Sequence, residues 1–279
     1  MAKKVSTREL GLIMVPKIMK SEDLHYGLWK KGMEVNLANM AKAQQNYSDW
    51  MLNHIPQGVK TILDVGCGTG HLSQQLIAKG YHVEGVSPSE VLSDYVRQRL
   101  GPQYTLFQST IEELETDHRY DLVMFSESFQ YMLPTLSLPK AYQLLNPGGH
   151  VLLSDFFRTR AEGESALKGG HDLIEFYEIL KTQPFSMVSD EDITPETAPN
   201  LKLVDDMITD IGEPLWNLTG FYMKSNHPWI SKLFMFLFRK RIKKLHFKYF
   251  SHQRTPENFL KYKSYRTMVL QAAPKGDRE

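Results

Sequence analysis

Short continuous apolar runs and segments of helical spacing alternate along the first two thirds of the chain. Each apolar run has the length of a strand buried on both faces, and most are followed by a segment whose apolar residues recur every three or four positions. The runs lie at 61–65, 81–86, 103–108, 120–125, 151–155 and 185–194, and a last one follows at 265–271. This alternation predicts an α/β fold on a doubly wound, mostly parallel sheet.

A helix is predicted before the first strand, from Asn36 to His54, because five of its residues share one face. They are Leu37, Met40, Gln44, Tyr47 and Met51. Gln44 is the polar member of this face. We expect it to make a buried hydrogen bond to neighbouring backbone, and contact with a cofactor edge is the alternative.

The first strand runs into a glycine turn that we interpret as a cofactor cradle. Asp64 ends the strand, and Gly66, Cys67, Gly68 and Gly70 follow before a helix begins. Glycines let the backbone adopt unusual dihedrals and lie directly against a ligand, and a helix N-terminus follows. The G-x-G-x-G spacing, with an acid two positions before it, departs from the G-x-G-x-x-G of dinucleotide dehydrogenases. The motif resembles motif I of the class I S-adenosylmethionine (SAM) methyltransferases.

That resemblance covers roughly residues 24–194 and 261–272. It implies a Rossmann-like, seven-stranded sheet whose last strand is antiparallel, with an α-helical cap inserted between the last two strands. It also implies SAM as the cofactor, S-adenosylhomocysteine as its product, and the five residues Asp64, Gly66, Cys67, Gly68 and Gly70 as part of the cofactor site.

The next two strands end in residues that depart from the pattern of this family. Ser87, Pro88 and Ser89 stand where the resemblance implies a carboxylate that binds both ribose hydroxyls. The serines are expected either to help bind the ribose or to cap the next helix, with Pro88 in its first turn. Thr110 stands where an acid would accept from the adenine amino group, and Ile111 is expected to pack on the adenine face.

The fourth strand ends in Ser126 and Glu127, beyond the carboxyl edge of the sheet, where ligands of open α/β folds bind. We expect Ser126 to contact the cofactor and this stretch to line the reaction chamber. Glu127 either orients a substrate hydroxyl or ammonium or binds a backbone amide. Glu127, His171 and His25 are the candidate general bases for an acceptor that must lose a proton. The alternative to a catalytic role is that His171 caps a helix or lies on the surface.

An aromatic stretch around Gly27 precedes the first helix. It resembles a segment that closes over the methionine moiety of SAM in small-molecule methyltransferases of the tocopherol and sarcosine types, which makes Tyr26 and Trp29 cofactor candidates. The alternative is a small satellite cluster of apolar side chains. We therefore divide the chain into an arm and helix at 1–56, a SAM-binding core at 57–194, a helical cap or acceptor lid at 195–260, and a final strand and tail at 261–279.

The segment from Trp229 to Phe250 within the cap carries no acidic residue. Its apolar positions repeat at helical spacing, and basic residues fill much of the remainder. Two interpretations stay open: a cap helix packed on the core with a solvated basic face, or a helix that contacts an anionic membrane surface or an amphiphilic acceptor. No base-reading motif accompanies the basic run, so we expect no nucleic acid partner.

Composition narrows the functional class only a little. A net charge of +1 over 279 residues indicates no polyanionic partner, and one cysteine excludes an internal disulfide framework and fits a reducing compartment. No Cys, His and Asp clustering suggests a metal site. The short apolar run Leu10 to Val15 behind Lys3 and Lys4 lacks a cleavage site, so we predict a cytoplasmic protein.

The sequence thus favours a SAM-dependent methyltransferase that acts on a small or lipid-like acceptor through an oxygen, nitrogen or carbon nucleophile, by in-line displacement. The alternative is a SAM-binding regulatory or partner protein without methyl transfer. Ser87 and Thr110, which replace two carboxylates of the family pattern, keep that alternative open.

Overall fold

The computed structural model describes residues 21–274, with the side chain of Lys248 left aside. The first part of the predicted arm, including Lys3, Lys4 and the Leu10 to Val15 run, lies outside the described residues. A 3-10 turn at Leu37–Asn39 leads directly into the first helix, α1, at Met40–Asn53. The predicted helix over 36–54 is therefore confirmed.

Seven strands form one sheet in the order β3-β2-β1-β4-β5-β7-β6. They are β1 Thr61–Val65, β2 His82–Val86, β3 Leu106–Phe107, β4 Tyr120–Ser126, β5 Leu145–Arg158, β6 Phe185–Asp192 and β7 Lys263–Ala272. β1 to β5 pair in parallel, and β7 is antiparallel to both β5 and β6. The predicted fold class, a mostly parallel Rossmann-like sheet with an antiparallel last strand, is confirmed.

Helices connect the strands on both faces of the sheet. Those of the core are α2 His71–Ala78, α3 Glu90–Leu100, α4 Pro134–Leu144 and α5 Leu173–Lys181. The central strands are buried on both sides: in β1, Ile62 packs into one apolar cluster while Leu63 and Val65 pack into the other. Two covered faces explain why these strands are continuous apolar runs rather than alternating ones.

Two predicted strands differ clearly in length from those observed. β3 is only Leu106–Phe107, because it lies at the edge of the sheet and pairs with β2 alone. β5 runs from Leu145 to Arg158, well beyond 151–155, because its first residue pairs with Tyr120 of β4 and β7 pairs along it as far as Arg158. α4 begins at Pro134, where a proline suits a first helical turn.

The segment between β6 and β7 is helical, as predicted, but only its two ends pack on the core. The helices at the ends are α6 Thr194–Thr197, α7 Asn200–Met207 and, after the middle part, α10 Pro256–Tyr262. Leu201 of α7 and Phe259 of α10 are buried in the main apolar cluster. The ends of the inserted segment are therefore part of the same core as the sheet.

The middle of the inserted segment is a helical hairpin. A π-helical turn at Ile208–Gly212 leads into α8, Glu213–Asn226, and α9, Pro228–Phe250, returns beside it. α8 and α9 make their main contacts with each other and with the π-helical turn. No described helix is long and apolar enough to cross a membrane.

Candidate active site

The glycine loop between β1 and α2 has the backbone that its sequence requires. Gly66, Gly68 and Gly70 have φ values of +78°, +57° and +77°, a region that glycine adopts without steric cost. A Cβ at Gly66 would lie 2.5 Å from the Cβ of Ser128, whereas one at Gly68 would meet only Leu24, at 3.6 Å. Gly66 therefore permits close packing of the loop against the end of β4, while Gly68 faces space that a ligand can use.

Asp64 and Cys67 hold this loop from within the core. Asp64 is buried and accepts a 2.6 Å hydrogen bond from the Ser73 hydroxyl of α2. Burial raises the pKa of Asp64 to about 6, although the Ser73 bond lowers it. Cys67 is also buried, and burial raises the pKa of its thiol, so this cysteine is a packing residue and not a nucleophile.

Residues 21–29, which we call the strap, lie across the glycine loop. The Thr69 hydroxyl donates to the backbone carbonyl of Glu22 at 2.6 Å, and the Asp23 carboxylate lies 2.8 Å from Nδ1 of His71, the first residue of α2. Gln44 of α1 holds the strap from behind, because its amide donates to the carbonyls of His25 at 2.7 Å and Asp23 at 3.3 Å. The predicted buried hydrogen bond of Gln44 to backbone is confirmed.

The strap separates its two predicted cofactor residues. Tyr26 points toward the carboxyl edge of the sheet, where its ring lies 6.1 Å from that of Phe156 and 5.9 Å from that of Phe259. Trp29 is buried instead in a separate cluster with Met40, Ala43 and Leu203. Here the structure bears out the satellite-cluster alternative for Trp29 and leaves Tyr26 at the site.

Gly27 explains why a glycine interrupts the aromatic residues of the strap. A Cβ there would lie 2.5 Å from the Cβ of Ala43, so the strap can approach α1 this closely only with glycine. The backbone of Gly27 is also clasped by the Asn200 side chain, which accepts from its N–H at 2.9 Å and donates to its carbonyl at 2.7 Å. The strap is thus fixed to both α1 and α7.

The serines after β2 divide the two predicted roles between them. Ser89 caps α3, since its hydroxyl accepts from the Leu92 N–H at 3.3 Å. Ser87 is buried, and its N–H donates to the carbonyl of Phe107 at 3.0 Å, which leaves its hydroxyl for another role. Pro88 precedes the cap residue, so the prediction that it lies in the first helical turn is wrong.

The predicted adenine residues follow β3. The Thr110 hydroxyl accepts from the N–H of Glu113 at 3.3 Å and closes a local turn. Ile111 is fully buried in the cluster that contains Val65 and Val86. The pair thus supports the shape of the loop next to β2.

Glu127 is the centre of a polar cluster at the carboxyl edge of the sheet. Its Oε1 accepts two hydrogen bonds of 2.7 Å, one from the N–H of Tyr26 and one from the hydroxyl of Tyr265 in β7. The hydroxyl of Tyr47 in α1 lies 3.2 Å from that of Ser126, which places both residues in the same cluster. Three segments distant in sequence therefore meet around one carboxylate.

The charges around Glu127 are set by burial and by a neighbouring imidazole. Burial raises the pKa of Glu127, and the charge of His25, with the bonds from Tyr265 and Tyr26, offsets part of that rise. Burial lowers the pKa of His25, but its interaction with Asp23, whose carboxylate lies 3.3 Å away, outweighs burial and raises it overall. A carboxyl and an imidazole whose pKa values are both raised form an arrangement suited to proton transfer near neutral pH.

Asp155 and Lys263 extend this polar region along β5 and β7. Burial, followed by the charge of Glu127, raises the pKa of Asp155 to about 8. Burial lowers the pKa of Lys263 to about 8, and its ammonium donates to the carbonyl of Gly169 at 2.6 Å and lies 5.2 Å from the centre of the Phe156 ring. Both groups can change their charge close to neutral pH.

His171 is not part of the Glu127 cluster. Its Nε2 lies 3.1 Å from the carbonyl oxygen of Phe129, so this nitrogen is the one that carries the proton, and its ring packs edge-on against the Phe129 ring. The glycines before it are packed on β5, since a Cβ at Gly170 would lie 2.5 Å from the carbonyl of Phe156. The structure supports a positioning role for His171 in the loop after β4.

Sequence reasoning missed three residues of the site. Tyr47 shares a helix face with apolar residues, and Tyr265 lies in a strand 138 positions after Glu127, so neither carries a local signal. Asp23 lies two positions before His25 in the strap, and this spacing of an acid and a histidine was the one available sign.

The comparisons with known proteins agree with this geometry. Residues 62–149 match the family model described as "Methyltransferase domain". An uncharacterized methyltransferase of Mycobacterium tuberculosis is 32% identical over 104 residues, which are 37% of this chain and 41% of that protein. The chain thus spans about two fifths of the length of such curated relatives.

Two solved structures share the fold over nearly the whole chain. The [4+2]-cyclase SpnF has a TM-score of 0.69 and 15% identity, with 95% of this chain and 93% of that chain covered. Geranyl diphosphate C-methyltransferase from Streptomyces coelicolor, solved with S-adenosyl-L-homocysteine, has a TM-score of 0.64 and 14% identity, with 94% and 93% covered. At such low identity, both likenesses speak for the fold alone.

The fold and the glycine loop define a Rossmann-like α/β protein whose candidate ligand site lies at the carboxyl edge of its sheet. The family match then adds that residues 62–149 of this core are similar to a methyltransferase domain.

Proposed function

We propose that this protein is a SAM-dependent methyltransferase that acts on a small or amphiphilic acceptor. The observation that carries the proposal is the placement of the glycine loop, the strap and the Glu127 cluster at one edge of the sheet. The loop offers a ligand a surface without side chains, the strap covers it, and the cluster provides groups that move a proton.

The described residues fit such a cofactor. The space beside Gly68 is open to a ligand, and Tyr26 lies over the edge of the sheet next to Glu127. In this proposal the Gly66–Gly70 loop and Tyr26 hold the methionine part, with Asp64 and Cys67 shaping the loop and Ser126 beside it. Ser87 and the loop that Ser89 caps hold the ribose, and the turn of Thr110 and Ile111 borders the adenine. Trp29 anchors the last residue of the strap in its own apolar cluster.

SAM, when bound, supplies a methyl group on a positively charged sulfur that a nucleophile can attack in line. The protein's residues then align the acceptor, exclude water and remove its proton. Glu127 is the proposed base, because its raised pKa favours accepting a proton from a hydroxyl or ammonium near neutral pH. Tyr265 and the N–H of Tyr26 fix the carboxylate, and His25 balances its charge.

The surroundings of Glu127 support an acceptor with an apolar part. Tyr26, Phe156 and Phe259 form an aromatic wall, and Phe259 belongs to α10 at the packed end of the inserted segment. The packed ends, α6, α7 and α10, are the part of the predicted acceptor lid that adjoins the site. The buried cysteine supports a place in a reducing compartment such as the cytoplasm.

A transfer assay with SAM tritiated on its methyl group tests the proposal. Purified protein is incubated with fractions of a cell extract, and we expect label in a small-molecule or lipid fraction. Binding of SAM without label in any fraction would favour the alternative, a SAM-binding regulatory protein. Measuring label transfer as well as SAM binding is necessary because the [4+2]-cyclase SpnF has a similar fold, and a fold does not determine the chemistry of its site.

A further inference from the structure

The α8–α9 hairpin exposes far more apolar surface than any other part of the described chain. Trp229 is 86% exposed, Phe236 73% and Phe221 70%. Other large apolar side chains of the hairpin that are exposed include Leu215, Leu218, Tyr222, Ile230, Leu233, Phe234, Met235 and Leu237. Soluble proteins rarely leave so continuous an apolar surface uncovered unless it binds a partner or a membrane.

Along residues 229–244 of α9, an apolar stretch is followed by a basic stretch, so the two kinds of residue are separated along the helix axis. Residues 229–238 are apolar apart from Ser231 and Lys232, whereas 239–244 carry five basic side chains that are all exposed: Arg239, Lys240, Arg241, Lys243 and Lys244. No acidic residue occurs in 228–250, and no described carboxylate forms an ion pair with these five. The apolar part is about 15 Å long, which is about half the thickness of a hydrocarbon core.

We propose that the α8–α9 hairpin docks the protein on an anionic lipid bilayer. The apolar half of α9, with the exposed apolar side chains of α8, enters the boundary between headgroups and acyl chains, and residues 239–244 lie at the level of the lipid phosphates. Aromatic side chains such as Trp229 and Tyr222 suit this interface, and Lys232 can extend its ammonium toward the headgroups. This proposal goes beyond methyl transfer and does not depend on it.

The charge pattern favours a membrane over a second copy of the chain. Two hairpins paired in parallel would bring their basic halves together, and two paired antiparallel would place an apolar half against a basic half. A lipid surface instead offers an apolar layer beside a layer of phosphates, which matches both halves of α9. Its attraction for basic residues falls with rising salt.

Vesicle co-sedimentation of the full chain tests the proposal. The protein is mixed with vesicles of phosphatidylcholine alone or with phosphatidylglycerol added. We expect it to pellet with the anionic vesicles, and its tryptophan fluorescence to shift to shorter wavelength as the Trp229 ring leaves water. Replacing Arg239, Lys240, Lys243 and Lys244 by Gln should weaken binding more than about tenfold.

Matched variants separate the hairpin from general surface effects. Trp229→Asp with Phe236→Asp should abolish pelleting, whereas Leu133→Asp with Leu136→Asp, which changes two exposed leucines outside the hairpin, should not. The charge control replaces by Gln four exposed lysines that lie outside the hairpin: Lys31, Lys42, Lys60 and Lys79. This variant should bind the vesicles as the wild type does.

Two results would overturn the proposal. The first is a wild-type chain that stays in the supernatant with anionic vesicles, and the second is an equal loss of binding in the control variants. If the first result comes with a dimer, seen by light scattering, that Trp229→Asp with Phe236→Asp converts to a monomer, a second copy of the chain covers the face instead.

Discussion

Glu127 combines three properties at the residue scale that a purely structural carboxylate does not need. Its φ is +51°, which is strained for a residue with a long side chain, and its N–H donates to the carbonyl of Ser154 at 2.8 Å. Its carboxylate is fixed by two donors, and burial raises its pKa. Strained and preorganised residues concentrate at functional sites, so we assign the proton-accepting role here.

Replacing Glu127 by Gln should lower the turnover number by about 100-fold or more and leave the SAM dissociation constant within a few-fold. The glutamine oxygen can still accept from Tyr26 and Tyr265, so the site keeps its shape. Wild-type turnover should rise with pH as Glu127 loses its proton, and this limb should be absent in the variant. Tritium transfer measured across pH provides both readouts.

The control for this change is Tyr265→Phe. The bond from Tyr265 lowers the pKa of Glu127, so its loss should move the rising limb to higher pH. A Glu127→Gln protein with normal turnover, or a limb that Tyr265→Phe does not move, would contradict the role of Glu127 as base.

The link between Asp23, His25 and His71 should hold the strap closed in a pH-dependent way. The raised pKa of His25 means that its stabilisation is fully present below 6.5, its ordinary unfolded value, and is lost as pH rises through the raised value. Asp23→Asn should therefore speed hydrogen exchange of residues 21–29, flatten its pH dependence and weaken SAM binding by about tenfold.

Exchange followed by mass spectrometry measures this effect, and Asp49→Asn, at an exposed position of α1, is the control. Strap exchange that is unchanged in Asp23→Asn would show that the Gln44 and Asn200 bonds alone hold the segment.

Sequence reasoning named the residues of the candidate site that are close to a recognisable motif, and it missed those that only the fold brings there. The G-x-G-x-G spacing of Gly66, Gly68 and Gly70 indicates a ligand loop without any knowledge of the structure. Tyr265 reaches Glu127 only because β7 inserts between β5 and β6, and nothing local marks it. Trp29 had the same aromatic signature as Tyr26, but packing directs it to the opposite side of the strap.

At the scale of elements, strand and helix types were predictable because burial on both faces leaves a continuous apolar run. The lengths of the strands were less predictable, because the extent of β5 and β3 depends on which neighbouring strands pair with them. The helices of the hairpin were also predictable, but the pattern of α9 does not say what the helix packs on. The structure shows it away from the sheet.

Removing the hairpin should leave the core intact. Residues 212 and 252 flank it and lie close together, as the 3.9 Å approach of Glu213 to His252 indicates, so a short linker can replace 213–251. Because α8 contributes no buried residue, we expect the midpoint of thermal unfolding to change by only a few degrees and SAM affinity by a few-fold. Vesicle binding should be lost.

Differential scanning calorimetry and SAM titration of the deletion variant check these expectations. Loss of cooperative unfolding, or of SAM binding, would mean that the hairpin is a structural part of the core and not an appended docking element.

At the scale of the whole molecule, the two proposed functions lie in two regions. The carboxyl edge of the sheet, the strap and the packed helices α6, α7 and α10 form the candidate site, while the exposed α8–α9 hairpin is the proposed membrane contact. The alternation of strand and helix in the sequence predicts the doubly wound sheet. It does not predict that the hairpin stands apart from the sheet, because no sequence pattern shows which surfaces a helix leaves uncovered.

Calorimetric titration measures whether the glycine loop binds SAM. We expect wild-type protein to bind SAM and Gly68→Val, folded by circular dichroism, to bind it at least about 100-fold more weakly, because the valine side chain fills the space beside the loop. Gly58→Val is the matched control, since Gly58 also has a positive φ, +86°, with open space around it but lies before β1. It should bind SAM within a few-fold of wild type. Wild-type protein that releases no heat with SAM, or a folded Gly68→Val protein with wild-type affinity, would contradict the claim that the glycine loop binds SAM.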